Sequence, residues 1–185
     1  ALGAFGTGVG CTDLLYGMVT GKSWVLVPET VKFNLVGKLP EGVYARDLIL
    51  TIIGTIGANG CNYQVMEFTG EGAKTLSISE RMVLCNMAVE AGAKTGIFEP
   101  DEKAIEYLEA HGRKPKALFT SDPDAVYARE YTFDLSKIRP VVAKPDFVDN
   151  LVPAEEVRGV KIDEAFLGSC NNGRIEDLRV GASII

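Results

Sequence analysis

The chain has 185 residues, 46% of them hydrophobic, which is enough for one packed domain or for one domain with pieces of its neighbours. Its 25 acidic residues against 19 basic ones give a net charge of −6 with no dense Lys/Arg run, which argues against nucleic acid as a partner. No apolar run nears the roughly 20 residues of a membrane span, no signal peptide is visible, and Cys11, Cys61, Cys85 and Cys170 lie too far apart for a C-x-x-C pair or a disulfide scaffold, as in a reducing cytoplasm.

Gly3, Gly6, Gly8 and Gly10 punctuate the opening, but their spacing fits neither the dinucleotide fingerprint nor the Lys-containing phosphate loop, so close backbone packing is expected. Thr12 or Asp13 is expected to cap a short helix through Met18, ended by Gly21. Trp24-Val25-Leu26-Val27 reads as a strand closed by Pro28, and 31–36 alternates as a half-buried strand does. The pattern at 46–56 predicts a helix with Leu48, Ile49, Ile52, Ile53 and Ile56 on a wide buried stripe, stopped at 57–60. A strand follows at 64–68, then a turn at 70–72. Ser77 and Glu80 have capping-box spacing and open a helix over 78–91, with Gly92 at its stop. A strand at 94–98 precedes a helix over 102–110, capped by Asp101 and ended by His111-Gly112.

The polar stretch 113–124 reads as loop, and 125–129 as a helical turn. An edge strand is expected at 131–135 and a proline-bounded strand at 140–145. Residues 146–158, with Pro153 inside, read as a connector. A strand at 164–167 and a helix over 174–185 follow. The alternation argues an α/β fold of layered sheet and helices. Three units are expected: 1–36 as the tail of a first α/β domain, 37–150 as a central one, and 151–185 as a connector and the start of a third. Both ends look cut, so a fragment of a larger protein is expected.

The stretch Gly168-Ser169-Cys170-Asn171-Asn172-Gly173-Arg174 is the candidate site. It is a tight Gly/Ser/Asn turn between an apolar run and a helix start, where a helix N-terminus would favour a thiolate. Such a cysteine suits a metal ligand, a nucleophile, or a small residue filling a turn. Glu90 lies in the last turn of its expected helix, four residues after Asn86 and on the same face, where its charge opposes the helix dipole at a cost of roughly 0.3–1 kcal/mol. That is either a functional demand or a solvated carboxylate. His111, at a helix end, reads as structural, and Cys11, Cys61 and Cys85 read as buried thiols.

Two stretches together resemble the aconitase superfamily. One is Leu167-Gly168-Ser169-Cys170-Asn171-Asn172-Gly173-Arg174-Ile175-Glu176-Asp177. The other is Glu67-Phe68-Thr69-Gly70-Glu71-Gly72 followed by Cys85-Asn86-Met87-Ala88-Val89-Glu90-Ala91-Gly92-Ala93. The segment from Gly6 to Asp13 is similar to the one that follows the family's Asp-Ser-His-Thr motif. The closest likeness is to the large subunits of the archaeal, two-subunit type, and it runs colinearly through essentially the whole chain.

The resemblance implies an aconitase-like fold and a [4Fe-4S] cluster held by three cysteines. Cys170 matches the first; the other two belong to a Cys-Gly-Pro-Cys motif absent here. Glu90 matches the carboxylate that pairs with an active-site histidine this chain lacks, and Asn86 and Asn172 match residues of the cluster and substrate environment. The family turn usually carries Thr where this chain has Asn171. The implied activity is dehydration and rehydration of a 2-hydroxy acid of the isopropylmalate or homocitrate/homoaconitate type, in the cytoplasm, by a large subunit paired with a small one. A fragment with one ligand of three is expected to be inactive and to hold no stable cluster. The alternatives are a non-catalytic module that binds a partner subunit and, less in keeping with the net charge of −6, RNA binding.

Overall fold

A computed structural model describes residues 2–184. Helix α1 (Cys11–Thr20) precedes β1 (Thr30–Val36), α2 (Ala45–Ile56), β2 (Val65–Thr69), the short α3 (Glu71–Thr75) and α4 (Ile78–Met87). Then come β3 (Thr95–Phe98), α5 (Glu102–Ala110), β4 (Arg129–Asp134), β5 (Val141–Ala143), β6 (Leu151–Pro153) and α6 (Ile175–Ala182). Four strands form a parallel sheet in the order β3-β2-β1-β4, and β5 and β6 pair as an antiparallel ribbon.

Strand alternation explains the core. Val31, Phe33 and Leu35 of β1 share a face with Met66 and Phe68 of β2 and Phe98 of β3, and all six are buried. Their rings run across the sheet: Phe98 lies 5.0 Å from Phe68, Phe68 5.6 Å from Phe33, and Phe33 5.5 Å from Tyr131 on β4. The apolar stripes of α2 and α4 close over this face in one continuous core. Each fully buried side chain of this kind contributes about 1.5–3 kcal/mol. Gly96 lets α4 come close, because a Cβ there would lie 2.8 Å from the Cα of Cys85. The other face is polar. Lys32 pairs with Glu130 at 3.6 Å, and Glu67 accepts hydrogen bonds from Ser121 and Tyr127 at 2.9 and 3.0 Å.

The strands and helices expected at 31–36, 46–56, 64–68, 94–98, 102–110, 131–135 and 140–145 are present within a residue or two. The Ser77–Glu80 capping box forms in both directions, and Asp101 caps α5 by accepting from the Ala104 amide. Other expectations need correction. Residues 24–27 and 164–167 form no strand: among the described residues they find no ladder partner, and Trp24 and Phe166 are 82% and 84% exposed. Helix α1 is capped at Gly10, not Thr12 or Asp13. Residues 70–72 enter the helical turn of α3, whereas 125–129 form no helix because Arg129 already pairs in β4.

The connector contains β6, whose Leu151 fits against Gly54 of α2, where a Cβ would meet its side chain at 2.5 Å. Strand β1, read as the end of a first unit over 1–36, pairs on both sides with strands of the expected 37–150 unit. Helix α6 runs from Ile175 to Ala182, and Ile185 lies outside the described residues. No helix among the described residues is long and apolar enough to cross a membrane.

Arg81 on α4 is 1% exposed and lies in the core. Its guanidinium donates to both carboxylate oxygens of Asp101, at 2.8 and 2.5 Å, and holds that carboxyl below its ordinary pKa. Because the folded-state value is depressed, the stabilisation is complete above the ordinary carboxyl range and is lost as pH falls through the folded-state value. Asp101→Asn keeps the cap acceptor but leaves Arg81 buried without a countercharge. Urea unfolding of the chain at neutral pH should show a loss of about 3 kcal/mol, and the variant should lose less stability than the parent on acidification.

Candidate functional site

The site is assembled from three elements distant in sequence: the N-terminus of α2, the outer side of α4 and the turn at 168–173. Asp47 fixes the first. Its carboxylate accepts from the Tyr44 amide at 2.9 Å and from the Val141 amide at 3.0 Å, tying the start of α2 to β5. Arg46, its neighbour, is exposed and reaches across to the turn. Its Nη1 donates to Asn171 Oδ1 at 2.6 Å and to Asn172 Oδ1 at 3.1 Å.

Helix α4 supplies Asn86. Cys85, one residue earlier, faces Gly96 and the sheet, which leaves Asn86 exposed on the outer side. The Cys170 thiol comes to 3.6 Å of Asn86 Oδ1, bringing together two expected site residues 84 positions apart. Ser169 Oγ lies 3.8 Å from the same sulfur.

The turn has its own local logic. Ser169 adopts φ 79°, the left-handed region that few non-glycine residues occupy. Gly173 comes so close to the Ser169 carbonyl that a Cβ would lie 2.8 Å from its oxygen. Asp177 accepts from the Arg174 amide at 3.0 Å and from Asn172 Nδ2 at 3.4 Å, capping α6 while holding the turn's last residues. Arg174 Nη1 donates to the Asn171 carbonyl at 3.0 Å. Helix α6 begins at Ile175, so Cys170 lies four residues before the Arg174 cap rather than at the helix N-terminus itself. The dipole argument for its thiolate is correspondingly weaker, since that field fades beyond the first turn.

Glu90 is exposed and makes no hydrogen bond or ion pair among the described residues. Helix α4 stops at Met87 and tightens into a 3-10 turn, Ala88–Ala91, closed by Gly92 at φ 76°. Glu90 is therefore not one α-helical turn beyond Asn86, because a 3-10 turn advances three residues per turn. The tightening follows from neighbours: the amides of Cys61 and Tyr63 take the Ala91 and Gly92 carbonyls at 2.9 Å each.

Burial pushes the Cys61 and Cys85 thiols up, so both stay protonated. Cys11, expected to be buried, is exposed at the start of α1. His111 ends α5 and its Nδ1 lies 2.7 Å from the Tyr107 carbonyl, a structural placement. Among the described residues no group of three or more His, Cys, Asp or Glu side chains could hold a metal ion. An exposed thiol in a polar turn fits one corner of an iron–sulfur cluster, and the remaining ligands would have to come from elsewhere. Arg46 is a site residue that sequence reasoning missed, whereas Gly173 and Asp177 lay inside the quoted stretches without a role of their own. Asp177, three residues after the helix cap, carried a readable signal; Arg46 carried none.

A model of the aconitase family (aconitate hydratase) matches residues 1–158. The 3-isopropylmalate dehydratase large subunit of Heliobacterium modesticaldum is 53% identical over 185 residues, all of this chain and 44% of that protein. Large subunit 1 of the same enzyme from Methanopyrus kandleri is 50% identical over the same span, again 44% of its length. The Aquifex aeolicus large subunit is 51% identical over 184 residues, 43% of its length. The chain thus spans less than half the length of these curated relatives. The cysteine turn lies beyond the family model's match but within the alignments to the relatives.

Gly173→Ala should push the turn away from the Ser169 carbonyl, at a local cost of about 1–3 kcal/mol. The Asn86 side-chain amide resonances should move in the variant while those of Asn34, on the polar sheet face, stay in place. Unmoved Asn86 signals would mean that the turn does not govern the Cys170 contact.

Proposed function

The chain belongs to the aconitase family, and on that premise we propose that it is part of the large subunit of an iron–sulfur hydro-lyase. The parent would isomerise a 2-hydroxy acid of the isopropylmalate or homoaconitate type by dehydration and rehydration. The observation that carries this reading is the 3.6 Å approach of Cys170 to Asn86, which unites the two family-like stretches at one exposed place. The names of the relatives, each a 3-isopropylmalate dehydratase large subunit, support the substrate class and a small-subunit partner. Residues 2–29 and 159–184 belong, in this proposal, with neighbouring domains of the longer protein. A cytoplasmic location is part of the same proposal.

Each residue then has a role. Cys170 would hold the cluster through one thiolate of three. When bound, a [4Fe-4S] cluster supplies a Lewis-acidic iron that favours departure of the substrate hydroxyl. A thiol donates to Asn86 Oδ1, but a thiolate can only accept, so Asn86 would turn its Nδ2 toward the sulfur. Asn172, held between Arg46 and Asp177, would lie beside the cluster, two residues after its ligand. Glu90, with a free carboxylate, would orient and charge-balance a histidine supplied from outside this chain. The fragment on its own lacks two of the three thiolates and is expected to be inactive.

The reading is tested by iron. Anaerobic reconstitution of the isolated chain should give well below one cluster per molecule, and the full-length protein should hold four irons and gain dehydratase activity with its small subunit. Four irons per isolated chain, or an iron-free full-length protein, would overturn it.

A further inference from the structure

We propose that Arg46 is the positioning residue of the Cys170 turn, acting through Asn171; this rests on the reading of Cys170 as a cluster ligand. Residues 159–174 contain no strand or helix and are largely exposed, so the turn has little core to hold it. Among the described residues, three side chains of the body reach 159–184 by hydrogen bonds. They are Arg46, Asn86, and Ser79, whose hydroxyl lies 3.4 Å from Glu176. Asn86 touches the ligand itself and Ser79 holds α6. Arg46 alone is charged and alone grips the two residues that follow Cys170.

The chemistry favours this grip. A guanidinium is always charged and its planar donors suit two carbonyl-type acceptors side by side. Arg46 forms no ion pair among the described residues, so its charge is not committed to a carboxylate. Its base is fixed, because Asp47 ties the first turn of α2 to β5 and Ala45 beside it is buried.

The arrangement also accounts for Asn171, the position where the resemblance expects threonine. An asparagine oxygen stands one bond further from the backbone than a threonine hydroxyl, and here it meets Nη1 at 2.6 Å. The Asn171 carbonyl is held at the same time by Arg174 at 3.0 Å. Asn171 is thus clamped at both its side chain and its backbone, and Cys170 is the residue directly before it.

The test uses the full-length protein with its native iron, in the parent form and as R46A, N171A and the double variant. Hydrogen exchange of the 168–174 amides reads the turn, exchange in β1 and β2 reads the core, and the rate of iron loss to a chelator reads the ligand. R46A should speed both turn exchange and iron loss on the order of tenfold, the factor for one charge-assisted hydrogen bond. Exchange in β1 and β2 should be unchanged. The double variant should match R46A rather than multiply the two effects. Unaltered turn exchange in R46A, independent multiplication of the two effects, or an equal acceleration throughout the core would each overturn the proposal. If the parent protein holds no iron, the hydro-lyase reading fails, while the exchange cycle still decides whether Arg46 positions the turn.

Discussion

The missing side chain at Gly96 sets where everything else can lie. It lets α4 settle with the Cα of Cys85 within what would be 2.8 Å of a Cβ on β3, with the Ala88 methyl and the Phe68 ring just beyond. Any larger residue would lift the helix off the sheet and open the core between Phe68, Phe98 and Leu84. Because Cys85 must face the sheet at that height, Asn86 turns outward, and its neighbour Met87 returns to the core. The outward position of Asn86, and so the meeting place for Cys170, follows from packing on the opposite side of the helix.

The same packing shows why the scaffold was readable and the site only partly so. Strands with strict alternation, such as 31–36, and helices with wide apolar stripes, such as 46–56, carry their burial in their period. Ser77 with Glu80, and Asp101, announce helix starts through chemistry local to three or four residues. By contrast, 24–27 and 164–167 have strand-like composition but no partner among the described residues, and composition cannot supply one. The 3-10 turn at Ala88–Ala91 was hidden for a related reason. It arises from Cys61 and Tyr63 binding carbonyls some thirty residues away, which no helical periodicity records.

At the site, Cys170 and Asn86 were legible through motif resemblance, and the fold brings them into contact. Glu90 was singled out by resemblance, and its spacing from Asn86 was read on the wrong helix type. Arg46 was invisible. An arginine in the first turn of a helix looks like any solvated cation until a segment 125 residues later is laid against it.

The turn is held by polar bonds at a largely exposed surface, and that has an energetic consequence. A hydrogen bond in water contributes about 0.5–1.5 kcal/mol net, whereas one shielded from water is stronger and is costly to leave unmade. In the chain by itself, the grip of Arg46 and Asn86 on the turn is therefore of the weaker kind. Phe166, Leu167, Ile175 and Leu178 flank the turn with exposed apolar surface, 84%, 48%, 57% and 44% accessible. Under the proposed function, covering that surface in the longer protein would exclude water from the same polar bonds. Burial would then tighten the ligand turn without adding a single contact to it. A site of this kind would gain its rigidity on assembly, whereas the sheet and α4 beneath it already pack in one continuous core.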